Sequence, residues 1–303
     1  MRIAVFGAGS LGSALGGLLA AKHEVVLIGR KPQVAAIRRA NLVLIGDRKS
    51  TVRVEAHDTV EGLAPPDLLV ISTKAYDTAE AIRTCKRWIG DETLVLSLQN
   101  GLGNLESLRE WKGVRAFGGT TTMGATLVSP GLIRISGLGK TVIGADRDKL
   151  GAARISEAFG VCGVPTFVSK DIMGEIWAKA IVSSAINPFT AILRVRNGAL
   201  LESKAISKLM AEVCRECEAV SSRAGVALPQ RSIYARVRGV AKGTARNESS
   251  MLQDIERRRR TEIDHINAAF SRLGDSYGVS TPVNDTLVAM VRGLESKKTT
   301  QKS

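Results

Sequence analysis

The first half of the chain alternates short apolar runs with amphipathic stretches. The apolar runs are residues 2–6, 24–28, 67–72, 93–97 and 115–117, and each is bounded by polar or glycine-containing segments. Strands that alternate with helices in this way form βαβ units, in which helices cover both faces of a parallel sheet. The pattern therefore predicts an α/β domain with a mainly parallel sheet.

The pattern changes twice further along the chain. After Gly119, short apolar runs at 126–128, 132–135 and 141–143 predict an antiparallel extension of the sheet, with a turn at Pro130-Gly131. From Lys170 onward the apolar spacing is helical, and long helices are predicted at 172–186, 204–223 and 250–274. We therefore predict two domains, residues 1–169 and an all-α domain at 170–303.

The composition is that of a globular protein. Hydrophobic residues make up 44% and charged residues 24% of 303 residues, which excludes disorder for the bulk of the chain and allows about two domains. No apolar run reaches the roughly 18 to 20 uncharged residues that a membrane span needs, and residues 1–6 lack the basic start of a signal peptide. No membrane association is predicted, and a cytoplasmic location is expected.

The net charge of +14 requires an anionic partner: nucleic acid, a membrane surface or a phosphate-bearing cofactor. Aromatic residues are only 4% and are not interleaved with the basic ones, so a stacking surface for single-stranded nucleic acid is not expected. The basic run at 257–260 is interpreted as a solvated helix face, with nucleic-acid binding as the weaker alternative. Residues 297–303 are interpreted as a frayed tail.

Four cysteines, Cys85, Cys162, Cys214 and Cys217, are too few for a disulfide framework in a chain of this length. Cys214 and Cys217 have the spacing of half a zinc site, but no second pair or histidine follows at ligand spacing. They are interpreted as thiols in the helical core, and no metal site is predicted.

The strongest single motif is Gly7-Ala8-Gly9-Ser10-Leu11-Gly12, which lies directly between the first predicted strand and the first predicted helix. Glycines in this place allow a tight turn and a close approach of the backbone to a pyrophosphate, which the helix N-terminus then faces. The motif predicts dinucleotide binding, against the alternative of a glycine turn without a ligand.

The end of the second strand indicates which dinucleotide binds. An NAD site usually has Asp or Glu there to hold the ribose 2′-hydroxyl, whereas this chain has Gly29-Arg30-Lys31. A guanidinium can pair with a 2′-phosphate, so Arg30 favours NADP, with NADH still possible. The alternative is that Arg30 stacks on the adenine of either cofactor.

Polar residues also follow two later strands, at Thr73-Lys74 and at Gln99-Asn100-Gly101. Open α/β sheets bind their ligands at the carboxyl ends of strands, so these groups are candidates for the site. A surface lysine and an ordinary Asn-Gly turn are the alternatives.

In the helical half, Lys179, Ser183 and Asn187 are spaced i, i+4 and i+8. This spacing places them in one polar stripe along an otherwise apolar helix. A lysine on such a face extends its amine to water, pairs with an acid or works in a cleft. Lys179 is therefore a candidate catalytic residue.

Seven motifs occur in order along both halves: Gly7 to Gly12, Lys74-Ala75, Asn100-Gly101, Gly119-Thr120-Thr121-Thr122, Trp177-Ala178-Lys179, Ile186-Asn187-Pro188, and Ser249-Ser250-Met251-Leu252-Gln253-Asp254-Ile255 with Thr261-Glu262-Ile263-Asp264. In these motifs the chain resembles the ketopantoate reductase (2-dehydropantoate 2-reductase) family over nearly its full length. The resemblance implies a Rossmann-type NADP-binding domain followed by a helical domain like the C-terminal domain of 6-phosphogluconate dehydrogenase.

The resemblance also implies roles for single residues. Lys179 would be the general acid and Glu262 its acidic partner, in contact with the cofactor as well. Asn100 would contact substrate and nicotinamide ribose, Lys74 the cofactor and Ala125 the nicotinamide side. The residues implied to hold substrate are Asn187, Asn197, Asn247 and Ser250, together with Ser183, where the family usually has Asn.

The implied reaction is the reduction of 2-dehydropantoate by NADPH to (R)-pantoate, in pantothenate and coenzyme A synthesis, by a homodimer. Two alternatives remain at this point. One is a related NADP-dependent reductase of another 2-oxo acid, suggested by Ser183. The other is a non-catalytic NADP-binding or nucleic-acid-associated protein, suggested by the net charge and residues 257–260.

Geometry raises one question about the last predicted helix. On a single straight helix, Ser250 and Glu262 would lie about 18 Å apart along the axis, too far for one small substrate. Thr261 and Asp264 resemble a capping box that starts a new helix. We therefore expect a break at 259–261.

Overall fold

The structure is a computed structural model that describes residues 1–229 and 232–296. The chain divides into two compact units, Met1–Gln99 with Gly103–Ile172 and Asn100–Leu102 with the residues from Met173 onward. The expected tail at 297–303 lies outside the described residues. The domain ranges 1–169 and 170–303 stay a prediction.

Twelve strands lie in the described part of the chain: β1 Arg2–Phe6, β2 Glu24–Ile28, β3 Leu42–Gly46, β4 Ser50–Val52, β5 Glu55–His57, β6 Leu68–Ile71, β7 Leu94–Ser97, β8 Arg115–Thr121, β9 Gly124–Ser129, β10 Leu132–Gly137, β11 Thr141–Gly144 and β12 Thr166–Val168. Five helices accompany them: α1 Ser10–Leu19, α2 Lys31–Ala40, α3 Thr78–Cys85, α4 Asn104–Glu110 and α5 Lys149–Gly160. All five strands predicted for the parallel sheet are confirmed: β1 and β2 have the predicted ends, and β6, β7 and β8 differ from the prediction by one to four residues at an end.

The larger sheet has eight strands in the order β12-β11-β8-β7-β6-β1-β2-β5. The strands from β8 to β5 are parallel to their neighbours, whereas β11 is antiparallel to β8. Strand β6 is apolar and buried throughout, as expected for a strand with helices on both faces. The strand order reverses beside β1, between β2 on one side and β6 on the other, which is the switch point of a Rossmann-type domain.

The predicted antiparallel extension is only partly correct. Strands β9 and β10 form the expected hairpin around the Pro130-Gly131 turn, and β11 does join the main sheet. However, β9 and β10 belong to a separate four-stranded sheet of order β4-β3-β10-β9, where β10 is parallel to β3. The sequence pattern missed β3, β4, β5 and β12. Strands β3, β5 and β12 pair with strands that are distant in the sequence, whereas β4 is a three-residue, largely exposed strand that pairs with the preceding β3.

The second unit is all-helical within the described residues, so the predicted fold class is confirmed. Its helices are α6 Ile172–Leu193, α7 Lys204–Arg223, α8 Ile233–Gly243, α9 Ser250–Glu256, α10 Asn267–Tyr277 and α11 Pro282–Ser296, with short 3₁₀ turns at Asn197–Leu201 and Ile263–His265. Trp177 and Phe270 meet edge to face in its core, with ring centroids 5.6 Å apart.

Helix α6 continues beyond the predicted end at residue 186, through Pro188 to Leu193. Proline lacks the N–H that would bond the carbonyl four residues earlier, which here belongs to Ser184. The side chain of Asn267 donates to that carbonyl oxygen instead, with Nδ2 3.1 Å away. The helix therefore survives its proline through a tertiary hydrogen bond that the local sequence does not show.

The continuous helix predicted at 250–274 is wrong, and the break expected within it is confirmed. Helix α9 ends at Glu256, two residues before Arg258 takes a left-handed φ of 54°. The break thus lies slightly earlier than expected. Residues 257–260 are exposed, as expected, but they lie in this turn rather than on a helix face.

The capping box expected at Thr261 and Asp264 does not form. The Thr261 hydroxyl accepts from the N–H of Ile263, and the Asp264 carboxylate pairs with Arg260 and Arg292. The arginines on both sides hold the pKa of Asp264 below its ordinary value, against the effect of burial. The segment continues as a 3₁₀ turn before α10 starts at Asn267.

Gly9 and Gly12 differ in the space that a side chain would have, so we expect substitutions at the two positions to differ in their effect on stability. A Cβ at Gly12 would overlap the carbonyl oxygen of Gly7 and the hydroxyl of Ser72, whereas the nearest atom to a Cβ at Gly9 is 4.0 Å away. We expect Gly12→Ala to lower the free energy of unfolding by about 1–3 kcal/mol, as overpacking does. Gly9→Ala is the matched control and should stay within about 0.5 kcal/mol of the wild type in urea denaturation. Equal stability of the two variants would contradict the packing described here.

Candidate active site

The glycine loop of the first unit has the shape that a phosphate site needs. The N–H groups of Gly7 and Ala8 both donate to the carbonyl oxygen of Ile28, at 2.9 Å each, and so hold the loop against the end of β2. Gly7 has a φ of +110°, and its missing side chain lets the backbone of Thr73 approach. The first turn of α1 follows at Ser10, where backbone N–H groups have no acceptor inside the helix. An anion at this place would meet those donors.

Strand β9 is attached to the same loop. The hydroxyl of Ser10 accepts from the N–H of Leu127, 3.0 Å away. Ala125, two residues earlier on β9, is half-buried. The structure therefore brings the predicted residue Ala125 into the neighbourhood of the glycine loop, along one strand.

Two cationic residues follow the strands β2 and β6, which lie on either side of β1 in the sheet. Arg30 is exposed directly after β2, at the start of α2, and no carboxylate lies beside it in the sequence from 29 to 31. Lys74 is half-buried at the start of a 3₁₀ turn after β6. Both positions agree with a site at the carboxyl edge of the sheet.

Gln99, for which the sequence analysis gave no role, connects the loops that follow β6 and β7 by hydrogen bonds. Its buried side-chain amide donates to the hydroxyls of Thr73, at 3.1 Å, and Thr78, at 2.8 Å. Its side-chain oxygen accepts from Ser97, 3.0 Å away. Gln99 therefore fixes the loops after β6 and β7.

In the second unit, hydrogen bonds link Lys179, Asn100 and Glu262 in a row, which we call the relay. The ammonium nitrogen of Lys179 donates to Asn100 Oδ1 at 2.9 Å, and Asn100 Nδ2 donates to Glu262 Oε2 at 3.3 Å. An ammonium can only donate and a carboxylate can only accept, so the two neighbours fix the orientation of the amide between them. The relay brings together three residues from α6, from the segment Asn100–Leu102 and from the turn before α10.

The electrostatics of the relay make Lys179 a weaker base than a free lysine. Burial of its ammonium lowers the pKa from 10.5 to about 8. The Glu262 carboxylate opposes this change, and the positive charge of Arg236 adds to it. Lys179 therefore titrates close to neutral pH, in the range where a lysine can donate a proton during a reaction.

Arg236 and Glu175 are neighbours of the lysine that the sequence reasoning did not assign. The Arg236 guanidinium on α8 lies 3.5 Å from the Glu175 carboxylate, and Glu175 precedes Lys179 by four residues on α6. The i, i+4 spacing could have added Glu175 to the polar stripe. The position of Arg236 depends on the packing of α8 and has no signal in the sequence.

The polar stripe predicted on α6 is confirmed as a geometric feature. Lys179, Ser183 and Asn187 are half-buried, while most residues between them are buried. Continuation of α6 beyond Pro188 keeps Asn187 on the helix and therefore in line with Lys179.

Asn197 and Asn247, which are 50 residues apart in the sequence, are neighbours. The N–H of Asn197 donates to the carbonyl oxygen of Asn247 at 3.1 Å, and Asn197 Nδ2 donates to the Thr244 hydroxyl at 2.8 Å. Asn197 Oδ1 is buried and has no hydrogen-bond partner among the described residues. A buried acceptor without a donor is costly, which makes this atom a candidate ligand contact.

Ser250 is exposed as the first residue of α9. Its neighbour Ser249 caps that helix, accepting from the N–H of Leu252 at 3.1 Å. The Thr190 hydroxyl of α6 lies 2.7 Å from the Ser249 hydroxyl and 2.8 Å from the carbonyl oxygen of Asn187. Thr190 and Ser249, which the sequence reasoning missed, thus hold the start of α9 beside the polar stripe.

Helix α6 is the one described helix long and apolar enough to cross a membrane by length and composition, and 61% of its most apolar window is buried. A buried core helix passes the same test, and Glu175 and Lys179 lie within α6.

Cys214 and Cys217 are buried in α7, as predicted. Cys85 is also fully buried, and burial raises its pKa to about 12, which leaves it unreactive.

Comparisons with known proteins show similarity over both halves of the chain. The family described as "Ketopantoate reductase PanE/ApbA" matches residues 3–148, and "Ketopantoate reductase PanE/ApbA C terminal" matches residues 171–295. The 2-dehydropantoate 2-reductase of Pyrococcus abyssi is 38% identical, with 98% of this chain and 100% of that protein covered. The corresponding protein of Archaeoglobus fulgidus is 36% identical, with 97% and 98% covered.

Solved structures of related proteins have the same fold over nearly the whole chain. A PanE/ApbA family ketopantoate reductase from Ralstonia eutropha superimposes with a TM-score of 0.92 at 34% identity, over 98% of this chain and 99% of that one. A D-mandelate dehydrogenase solved with NADH and anilino(oxo)acetate superimposes with a TM-score of 0.92 at 28% identity, over the same shares. Both halves of the chain and the whole fold therefore match, and the chain belongs to the ketopantoate reductase PanE/ApbA family.

Proposed function

We propose that this protein catalyses the NADPH-dependent reduction of 2-dehydropantoate to (R)-pantoate, a step of pantothenate and coenzyme A synthesis. The observation that carries the proposal is the relay from Lys179 through Asn100 to Glu262, in a chain whose 38% identical relative is a 2-dehydropantoate 2-reductase. The cofactor, when bound, supplies a hydride to the keto carbon.

Lys179 donates the proton in this proposal. The keto oxygen gains negative charge as the hydride reaches the carbon, and the nearby ammonium stabilises that charge and then transfers its proton from Nζ to the oxygen. A pKa of about 8 keeps Lys179 mostly protonated at neutral pH while making transfer easier than from an ordinary lysine. Glu262 favours the protonated form, and Asn100 orients the ammonium.

The substrate contacts follow from the polar groups of the helical unit. Asn187 and Ser183 continue the stripe of Lys179, and Ser250 would receive the carboxylate at the start of α9. Asn197 offers its unpaired Oδ1 to a substrate hydroxyl, and Asn247 supports Asn197 through its backbone. These assignments are supported by burial and hydrogen-bond geometry.

The residues of the first unit fit a dinucleotide. Gly9 leaves room for the pyrophosphate, and Gly7 and Gly12 allow the loop to pack closely on Thr73 and Ser72. The residues Ala8, Ser10 and Leu11 carry the backbone around the pyrophosphate. Arg30 would bind the 2′-phosphate, and Lys74 would bind another anionic part of the cofactor. Ala125 would lie at the nicotinamide, with Asn100 and Glu262 as further cofactor contacts. From the family resemblance alone, we also propose a cytoplasmic homodimer.

A second candidate is a reductase of another 2-oxo acid. Ser183 is shorter than the Asn that the resemblance leads us to expect, so the substrate has more room at this point of the stripe. The structural similarity to a D-mandelate dehydrogenase is consistent with such a change. Comparison of kcat/KM for 2-dehydropantoate with that for phenylglyoxylate and pyruvate separates the two candidates.

Replacement of Lys179 tests the reaction directly. We expect Lys179→Ala to lower kcat for 2-dehydropantoate by about 10²- to 10⁴-fold, because a positioned general acid is lost, while NADPH still binds. The measurement is NADPH oxidation at 340 nm, with cofactor binding followed by fluorescence. Lys208→Ala, at an exposed lysine of α7, is the control and should keep wild-type kcat. Full activity of Lys179→Ala would rule out the assigned acid.

The cofactor assignment depends on Arg30. We expect Arg30→Ala to raise the KM for NADPH by about 10-fold or more, since a charge-assisted contact to phosphate is removed, with little change for NADH. Steady-state kinetics with both cofactors gives the comparison, and the exposed Arg39→Ala serves as the control. Equal losses with NADPH and NADH would indicate stacking on adenine instead.

The pH dependence follows from the lowered pKa of Lys179. The protonated amine is the acid, so kcat should fall as pH rises through about 8. Glu262→Gln removes the charge that raises this pKa and should move it further down. NMR of ¹⁵N-labelled lysine gives the pKa independently of activity, with the exposed Glu248→Gln as the control. A pKa that stays near 8 in Glu262→Gln would contradict the electrostatics described here.

A further inference from the structure

The hydrogen bond between Asn267 and the carbonyl of Ser184 fills a gap that Pro188 creates. Ser184 is fully buried, so its carbonyl oxygen has no water to replace the missing helical donor. Asn267 is also fully buried, and its Nδ2 lies 3.1 Å from that oxygen. Loss of this bond would leave a buried acceptor without a donor, which is more costly than the loss of an exposed one.

The same amide group makes a second bond that fixes its orientation. Asn267 Nδ2 donates to Asn284 Oδ1 at 2.9 Å, and Asn284 Nδ2 donates to the Glu216 carboxylate at 2.7 Å. That carboxylate also accepts the N–H groups of Val283 and Asn284 at the start of α11. Asn267 therefore connects α6 with α11 and, through Glu216, with α7. The amide nitrogen of Asn267 supplies both donors, which a carboxylate in this position could not do.

Asn267 is also the first residue of α10, directly after the turn that carries Glu262. The N–H groups of His265 and Ile266 donate to the carbonyl oxygen of Glu262, at 3.0 and 3.1 Å. The carbonyl oxygen of His265 accepts from the N–H of Leu102 at 2.9 Å, which attaches the segment that contains Asn100. Two members of the relay therefore depend on where α10 begins.

The third member, Lys179, lies on α6 itself. It precedes Ser184 by five residues, or about 7.5 Å along the helix axis. The bond from Asn267 to Ser184 thus joins the helix that carries Lys179 to the turn that carries Glu262. No other described hydrogen bond of Asn267 reaches α6.

We propose that Asn267 is a positioning residue for the reaction, because it replaces the hydrogen bond that Pro188 removes and thereby sets the distance between Lys179 and the Asn100–Glu262 pair. The proposal rests on the proposed function for its effect on rate. Its effect on the electrostatics of Lys179 can be measured without any substrate.

The test combines Asn267→Ala with Pro188→Ala in the full chain. Asn267→Ala should lower the melting temperature by several degrees and kcat by about 10- to 100-fold, as small displacements of catalytic groups do. In the double variant, the new N–H of residue 188 can bond the Ser184 carbonyl, so the melting temperature should recover relative to Asn267→Ala. The rate should not recover, because the hydrogen bond from Asn267 that joins the start of α10 to α6 is still missing.

The substrate-free measurement is the pKa of Lys179 by NMR of ¹⁵N-labelled lysine. A displaced Glu262 raises this pKa less, so it should be lower than in the wild type in both Asn267→Ala and the double variant. The control is Ser221→Ala, which also removes a buried side-chain donor to a helix carbonyl, here the hydroxyl that donates to Cys217. It should lower the melting temperature without a change in kcat or in this pKa.

Recovery of kcat and pKa together with the melting temperature in the double variant would overturn the proposal, because Asn267 would then act on stability alone. If Asn267→Ala does not fold, the double variant, in which residue 188 again supplies the helical donor to the Ser184 carbonyl, carries the test alone. It should show the lowered kcat and the lowered pKa of Lys179, and wild-type values of both would overturn the proposal. If the wild type does not reduce 2-dehydropantoate, the proposed function fails, while the pKa comparison still decides the role of Asn267.

Discussion

The helical unit depends on a hydrogen bond that its longest helix cannot make by itself. Pro188 deprives the Ser184 carbonyl of its helical donor in the middle of α6, at a place with no access to water. Asn267 supplies the donor from the start of α10. The bond therefore satisfies a buried carbonyl that would otherwise lack a donor, and it connects the two helices. This contact connects α6, which carries Lys179, to the start of α10, directly after the turn that carries Glu262.

The same unit contains the ammonium of Lys179 at a buried position, where a positive charge is energetically unfavourable. Burial disfavours the charge of Lys179, and the Glu262 carboxylate favours it, so the amine titrates near neutral pH instead of near 10.5. The amide of Asn100 lies between the two groups and bonds to both. A direct and fully exposed ion pair would leave the lysine an ordinary base. Partial burial combined with an indirect acid gives it the properties of a proton donor.

The local sequence predicted those features whose physical cause is local. The glycines at 7, 9 and 12 imply a tight turn before a helix, and the apolar runs of β1, β2 and β6 imply buried strands. The polar stripe of Lys179, Ser183 and Asn187 follows from helical periodicity alone. The prediction of β4 failed because this strand is short and largely exposed, and the prediction of β3, β5 and β12 failed because pairing with distant segments stabilises them. The predicted end of α6 was wrong for the same reason, since the donor from Asn267 comes from 83 residues further along the chain.

The sequence by itself determined the fold class, the glycine loop before α1 and, through its motifs in both halves, the family. The fold class and the loop follow from the order and period of residues along a few consecutive turns or strands. Only the tertiary structure decided that Asn100 bonds both Lys179 and Glu262, that Asn197 meets Asn247, and that α9 ends at Glu256. The reason is that burial, pKa and hydrogen-bond pairing depend on groups brought together from distant parts of the chain, and no local pattern records which groups those are.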